Sequence, residues 1–218
     1  NAAVRNTTFS GTAGTTYVLR WTISNAPCTA SADDVSVKFN QNPTAANAGA
    51  DQINALTCGL TTVTLNGNNP AVGTGGWSIV SGAGGSFANA AVRNTTFSGT
   101  AGTTYVLRWT ISNAPCTAST DDVSIRFNPL PVAVAGANRS ICVGGSTTLG
   151  AAAVGGNTYS WTSVPAGFIS AVANPIVSPV ITTTYTLVET ITVTGCTKSN
   201  NVVVTVGILP DKATLVPD

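Results

Sequence analysis

Hydrophobic and polar residues alternate along several short segments of the chain, and the clearest example is 105–111. One side of this segment carries Tyr105, Leu107, Trp109 and Ile111. The other side carries Val106, Arg108 and Thr110. A period of two predicts a β-strand with one buried face. The same alternation predicts strands over residues 61–65, 123–127, 185–193 and 201–206.

Clusters of Gly, Asn, Ser and Pro separate these predicted strands, and no segment has the apolar period of an amphipathic helix. The clusters at 66–70, 73–76 and 81–85 are typical of turns. Short strands separated by turns within units of 80–90 residues are characteristic of a β-sandwich. We therefore expect an all-β protein made of tandem sandwich modules.

Two segments, 1–40 and 89–128, are nearly identical in sequence at an offset of 88 residues. They differ at only three of their 40 positions, where Ala32, Val37 and Lys38 correspond to Thr120, Ile125 and Arg126. Such near-identity indicates a recent duplication, so the chain contains tandem repeats of one structural unit.

A weaker repeat extends to the C-terminal third. Three spacings between residues recur in the same order in the two parts of the chain. The spacing from Cys58 to Leu65 equals that from Cys142 to Leu149, and the spacing from Cys58 to Trp77 equals that from Cys142 to Trp161. The spacing from Tyr105 to Cys116 equals that from Tyr185 to Cys196. They predict the C-terminal half of a repeat at 1–40, a complete repeat at 41–128, a divergent repeat at 129–207, and a tail or linker at 208–218. A half repeat lacks part of its core, so 1–40 should be unstable unless another segment completes it.

The chain has five cysteines, and the matched spacings predict how they pair. Cys58 should bond to Cys116 and Cys142 to Cys196, one disulfide within each complete repeat. Cys28 corresponds to Cys116 and would be left unpaired, because its partner would precede Asn1. Closing such long loops stabilises by about 3–5 kcal/mol, and disulfides indicate an oxidising, extracellular compartment.

Two other readings of the cysteines remain open. All five could be reduced thiols in a cytosolic protein. A metal site is disfavoured, because the sequence contains no Cys-x-x-Cys spacing.

The composition argues against an enzyme, a cofactor and a metal site. There is no His, which removes the Ser-His and Cys-His nucleophile systems and the imidazole metal ligands. Glu189 is the single Glu, and no pair of carboxylates is marked out as an acid and base by its position. The net charge of +1 and the 8% of charged residues give no basic surface for nucleic acid or for an anionic membrane. No apolar run is long enough to span a bilayer.

Three groups of residues could still form binding sites. Trp77, Trp109 and Tyr105 could present a sugar-binding platform, but their inward strand positions predict that they fill the core. The pairs Asp33–Asp34 and Asp121–Asp122 could bind Ca²⁺. Adjacent strand residues point to opposite faces, so we expect both pairs to be solvated strand starts.

Glu189 shares the inward face of its predicted strand with Tyr185 and Leu187. A buried carboxylate is costly without a partner, so we expect Glu189 near the sandwich edge or bonded to Arg139 or Lys198.

Three motifs of the last repeat resemble a PKD domain: Ala-Gly-Ala-Asn at 135–138, Gly-Asn-Thr-Tyr-Ser-Trp at 156–161 and Thr-Tyr-Thr-Leu at 184–187. PKD domains are immunoglobulin-like β-sandwiches, so the resemblance implies that fold. The form is divergent, since Thr-Ser-Val-Pro at 162–165 replaces the usual Asp-Gly turn.

The 88-residue unit also resembles the tandem repeats of SprB-type gliding-motility adhesins. The resemblance lies in Gly-Gly-Trp-Ser-Ile-Val-Ser-Gly at 75–82, Tyr-Val-Leu-Arg-Trp-Thr-Ile-Ser at 105–112 and Asp-Asp-Val at 121–123. It implies export by type IX secretion to the bacterial cell surface and a structural or adhesive role in gliding or attachment. The expected partners are neighbouring repeats of the same chain and a surface polysaccharide or substratum.

Two alternative functions are kept beside the adhesin. One is a PKD-like spacer or carbohydrate-binding region of a secreted hydrolase. The other is a subunit of an extracellular filament, in which a neighbouring chain completes residues 1–40.

Overall fold

The computed structural model describes residues 4–207, which form fifteen β-strands and one short 3-10 helix. The predicted tail at 208–218 lies outside the described residues. Within residues 4–207, no helix has the length and apolar character needed to cross a membrane. The predicted all-β fold class is confirmed, and the strands fall into three successive units.

The first unit is a single antiparallel hairpin. Strand β1 (Thr16–Ile23) pairs with β2 (Ser31–Lys38), with Thr16 opposite Lys38 and Ile23 opposite Ser31. The hairpin forms a sheet of two strands only.

The second unit is a β-sandwich of two three-stranded sheets. One sheet has the order β3-β6-β5 and the other the order β4-β7-β8. A 3-10 helix at Asn54–Thr57 precedes β3. The strands are β3 (Thr62–Thr64), β4 (Thr74–Ser81), β5 (Ser86–Phe87), β6 (Thr96–Ser98), β7 (Thr104–Ser112) and β8 (Ser119–Arg126). The predicted strand at 105–111 is confirmed as β7.

The third unit is a β-sandwich of a five-stranded and a two-stranded sheet, ordered β12-β11-β14-β15-β9 and β10-β13. The strands are β9 (Arg139–Cys142), β10 (Thr147–Thr148), β11 (Asn157–Val164), β12 (Ile169–Ser170), β13 (Ile176–Val177), β14 (Thr183–Ile191) and β15 (Cys196–Gly207). Strand β9 runs parallel to the end of β15, and the other pairings are antiparallel. In both sandwiches the order of the strands within the two facing sheets is immunoglobulin-like.

Each sandwich encloses its own hydrophobic core, and the buried residues of the two cores do not overlap. In the second unit Phe97 packs on Tyr105 with ring centroids 5.0 Å apart, and Trp77 packs on Trp109 at the same separation. Trp161 occupies the centre of the third unit and is fully buried. The aromatic rings supply much of the apolar area that holds the facing sheets together.

The turn predicted at 73–76 is wrong, because Thr74, Gly75 and Gly76 belong to β4. Gly75 lies directly opposite Ile111 and packs against the Trp109 ring. A Cβ on Gly75 would collide with that ring. Gly75 is therefore needed for close packing inside a strand, although its sequence context predicts a turn.

The first unit shows what happens to the repeated sequence without its second sheet. Trp21 is 40% exposed, whereas the matching Trp109 is 1% exposed, and Val35 is 57% exposed against 2% for Val123. The local aromatic cluster does survive, with Phe9 and Tyr17 at a centroid distance of 5.0 Å. Burial of the inner face thus depends on strands such as β3 and β5, which have no counterpart in residues 4–39.

This internal comparison predicts effects of unequal size for one substitution at two matched positions. Trp109→Ala should destabilise the second unit by about 3–5 kcal/mol, because it empties a filled core site. Trp21→Ala should cost less than half as much, since Trp21 is already 40% exposed to water. Urea unfolding followed by circular dichroism measures both, and equal losses for the two variants would contradict the burial difference.

Candidate functional site

The segment between the second and the third unit is bonded to both of them. We call it the joint, and define it as the linker 127–135 with the side chains of Cys58, Cys196, Glu189 and Asn200. It carries a disulfide, a buried amide and a buried carboxylate, each described below.

A disulfide between Cys58 and Cys196 closes the joint, with the two Cα atoms 5.4 Å apart. Cys58 follows the 3-10 helix of the second unit, and Cys196 is the first residue of β15 in the third. The predicted Cys58–Cys116 and Cys142–Cys196 bonds are therefore wrong. Cys28, Cys116 and Cys142 are free thiols.

The direction of the strands explains why the predicted bonds do not form. Cys116 precedes β8, while Cys58 makes a parallel bridge to Asn128, just after the end of that strand. At about 3.3 Å per residue, the strand separates them by about 30 Å, and a disulfide needs Cα atoms within about 7 Å. Cys142 and Cys196 likewise lie at opposite ends of β15, because Cys142 is paired with Gly207.

Asn128 fastens the start of the linker to the loop that carries Cys58. It is fully buried, and its Nδ2 donates to the Asn54 carbonyl at 2.7 Å and to Thr57 Oγ1 at 3.2 Å. Its Oδ1 accepts from Arg126 Nε at 2.9 Å, and its carbonyl accepts from the Gly59 N–H at 2.8 Å. Because these groups are satisfied inside the protein, Asn128 fixes the position of Cys58 relative to the linker.

Glu189 fastens the other end of the linker to the third unit. It is only 4% exposed; Oε2 accepts from the Ala133 N–H at 2.7 Å and Oε1 from Asn157 Nδ2 at 2.6 Å. Asn200 Nδ2 donates to the Ala133 carbonyl at 3.1 Å. The backbone of Ala133 is thus held on both sides by the third unit.

The expectation for Glu189 was right about the strand face and wrong about the partner. The inward position beside Leu187 is confirmed by the burial pattern of β14. Lys198 lies opposite Glu189 on β15, but within residues 4–207 the two form no salt bridge. The linker N–H reaches the carboxylate instead, which the sequence of β14 alone does not reveal.

Apolar contacts complete the joint. A Cβ on Gly59 would lie 2.9 Å from Leu130 Cδ1, so this glycine leaves room for the linker leucine against the second unit. A cavity of about 250 Å³ lies beneath the linker, lined among others by Leu130, Pro131, Val132, Tyr159, Leu187 and Glu189. Its walls are mainly aliphatic.

The candidate sugar-binding aromatics fill the core, as predicted. Tyr105, Trp109 and Trp77 are all buried. Trp109 Nε1 donates to Asn68 Oδ1 at 3.1 Å, and Trp77 Nε1 donates to the Arg93 carbonyl at 3.1 Å. These indole groups are therefore used inside the sandwich.

The candidate calcium carboxylates are separated by the strand and do not converge. Asp122 forms an ion pair with Arg108 at 2.7 Å, and Asp121 Oδ2 accepts from the Ala48 N–H at 2.8 Å. Asp34 pairs with Arg20 at 2.8 Å. Asp33, Asp34 and Asp122 are exposed to solvent, as expected, although Asp34 and Asp122 each also pair with an arginine, whereas Asp121 is half-buried. Within residues 4–207, no group of three or more His, Cys, Asp or Glu could hold a metal ion.

Neither a protein-family model nor a curated protein matches the sequence. Among solved structures, the chain is similar to the insect immune protein hemolin, at 9% identity over 88% of this chain and 56% of that chain, with a TM-score of 0.46. It is also similar to an adhesin with which an Antarctic bacterium binds ice, at 14% identity over 89% of this chain and 57% of that chain, with a TM-score of 0.32. A third similarity is to fibronectin(III)-like modules of Clostridium thermocellum CbhA, at 7% identity over 78% of this chain and 95% of that chain, with a TM-score of 0.34. The chain spans just over half the length of the first two.

The ion pair across β7 and β8 predicts a specific dependence of stability on pH. The hydrogen bond from Arg108 lowers the pKa of Asp122 below its usual value. A lowered pKa in the folded state adds stability that is present above about pH 4 and is lost as the pH falls through the folded pKa.

The Asp122→Asn variant should accordingly be slightly less stable than the unaltered chain at pH 7 and equally stable at pH 2. The loss of stability between pH 7 and pH 2 is then smaller in the variant than in the unaltered chain. Urea midpoints at both pH values measure the effect. In 1 M NaCl the unaltered chain should approach the variant, because salt screens exposed pairs. An identical pH dependence in both proteins at low salt would contradict the prediction.

The buried carboxylate at the joint predicts a second graded set of effects. Glu189→Ala should destabilise the third unit by about 1–3 kcal/mol, because the Ala133 N–H and Asn157 lose their acceptor. Glu189→Gln should cost less, since the Asn157 amide can turn its oxygen toward the new NH₂ group. Urea unfolding and hydrogen exchange at the Ala133 amide measure these losses. Lys198→Ala is the matched control and should be nearly neutral; a loss as large as that of Glu189→Ala would show that Lys198 is the true partner.

Proposed function

We propose that this chain is a structural and adhesive repeat region of a large cell-surface adhesin. Its modules would be 1–40, 41–128 and 129–207, which places each of the two separate cores within one module. The observation that carries the proposal is the Cys58–Cys196 bond, which ties consecutive sandwiches together covalently at their joint.

The joint supports a role in reach and stiffness. Asn128 holds the linker to the second unit, and Glu189 and Asn200 hold it to the third. Pro129 and Pro131 restrict the backbone between these attachments. A row of modules joined in this way transmits force and extends from a surface better than one joined by Gly and Ser.

We propose an extracellular, non-enzymatic role for the chain. A structural disulfide persists in oxidising compartments, which favours the cell exterior. The sequence has no His, and its single Glu is engaged by the linker backbone and Asn157. A carboxylate held in this way contributes to module assembly rather than to acid–base chemistry.

The finer form of the proposal is a PKD-like repeat of a SprB-type adhesin, exported by type IX secretion and serving gliding or attachment of a bacterium. The sequence motifs at 75–82, 105–112 and 135–138 support it. The partners would be neighbouring repeats and a surface polysaccharide or substratum, without nucleic acid or membrane insertion. Contact would be weak at each module and strengthened by the number of modules.

An adhesion assay with beads tests this function. Beads carrying the full chain at graded surface densities are exposed to an agarose or glass surface under flow. Multivalent adhesion predicts retention that rises steeply with density, while the free chain binds the same surface weakly. Beads coated with a single-domain protein of similar charge are the control.

Two results would overturn the proposal. The first is no retention above the control at any density. The second is tight, saturable binding of the free chain to one glycan, abolished by replacing an exposed aromatic residue, which would favour the carbohydrate-binding region of a hydrolase.

A further inference from the structure

Every unit of the chain places a cysteine in the same turn. Cys28 lies between β1 and β2, Cys116 lies between β7 and β8, and Cys196 begins β15. The backbone N–H of Cys28 donates to Asn25 at 2.9 Å, and that of Cys116 donates to Asn113 at 3.0 Å. We call these the near-end cysteines, because in the third unit this turn faces the preceding unit.

A second class of cysteine lies at the opposite end of each sandwich. Cys58 bridges in parallel to Asn128 after the end of β8, and Cys142 pairs in parallel with Gly207 at the end of β15. The chain leaves the second unit at Asn128, so Cys58 faces the following unit. We call Cys58 and Cys142 the far-end cysteines.

The Cys58–Cys196 disulfide joins the far-end cysteine of the second unit to the near-end cysteine of the third. Applied at the other joints, this rule gives a partner for every free thiol. Cys116 would bond to a far-end cysteine in the unit before it, and Cys142 to a near-end cysteine in the unit after it. Cys28 would bond to the far-end cysteine of a unit further upstream. None of these partners is present in residues 4–207, and all three thiols are free there.

We propose that the modules form a continuous disulfide ladder, in which each far-end cysteine bonds to the near-end cysteine of the next module. Cys116 and Cys142 are then attachment points for neighbouring modules with the residue pattern of 41–128. The inference rests on the repeat array of the proposed function. It concerns only how modules are joined and makes no use of what the array adheres to.

Exposure of the three thiols is compatible with this role. Cys28 and Cys142 are exposed and Cys116 is half-buried. A disulfide within one module is excluded, because its two cysteines lie at opposite ends of a strand, about 30 Å apart, and a disulfide needs Cα atoms within about 7 Å.

Each ladder bond requires an oxidant of the disulfide class. A cysteine thiolate attacks the oxidant disulfide, forms a mixed disulfide and releases one thiol. The second cysteine then displaces the other thiol. Two S–H bonds become one S–S bond, and the two protons and two electrons pass to the oxidant, which ends as two thiols.

A lengthened chain tests the ladder at Cys116. A copy of residues 41–88 is placed before Asn1 of the full chain, which completes the first unit and adds one far-end cysteine. The protein is oxidised with glutathione disulfide and digested without reduction, and the peptides are identified by mass spectrometry. We expect the added cysteine to bond to Cys116, with Cys58–Cys196 retained and Cys28 free. A bond to Cys28, or no bond of the added cysteine, would overturn the proposal.

Single substitutions in the lengthened chain sharpen the test. Cys116→Ser should leave the added cysteine free, whereas Cys28→Ser should leave the bond to Cys116 unchanged. Fluorescence from Trp21 should shift to shorter wavelength as its ring becomes buried like that of Trp109, which shows that the added segment has docked.

A second chain tests the opposite end and does not depend on completing the first unit. A copy of residues 41–128, a sandwich with its own core, replaces residues 208–218. Cys142 should then bond to the copy of Cys116. If Cys142 stays free, or bonds between two molecules on a non-reducing gel, the ladder is wrong. Failure of the bead assay with these bonds present would reject the adhesive function alone.

Discussion

The bond between Cys58 and Cys196 is the constraint on which the arrangement of the two sandwiches depends. It connects the loop after the 3-10 helix of the second unit to the start of β15 in the third, at a sequence separation of 138. The buried side chains of Asn128 and Glu189 act on the same linker from opposite sides. The disulfide and the hydrogen bonds therefore restrain the same joint.

The duplicated sequence provides a rare internal comparison of one strand pair in two environments. The ion pairs Arg20–Asp34 and Arg108–Asp122 are formed in both copies, at 2.8 and 2.7 Å, and so is the edge contact of the aromatic cluster. These interactions lie within one hairpin and its flanking residues. The burial of Trp21 and Trp109 differs completely, because it requires a facing sheet from another part of the chain.

Much of the fold could be predicted from the sequence because strand alternation is a local property. The strand at 105–111, the inward positions of Tyr105, Trp109 and Glu189, and the all-β class follow from a period of two. Gly75 was misassigned, since a glycine that admits a neighbouring ring looks in sequence like a glycine that turns the chain. The partners of Glu189 were missed because one is a backbone N–H, which every residue except proline carries, and the other is Asn157 on a different strand.

The cysteine pairing separates what the two levels of structure determine. Sequence alone established that the chain repeats, that its segments are strands, and that each complete repeat has two cysteines at equivalent positions. The equal spacing of the cysteines in the two repeats, however, does not show at which end of a strand each cysteine lies, and so does not show which cysteines face the next module. The tertiary structure decided the pairing, because an extended strand holds the two cysteines of one module far apart while the joint brings cysteines of neighbouring modules within bonding distance.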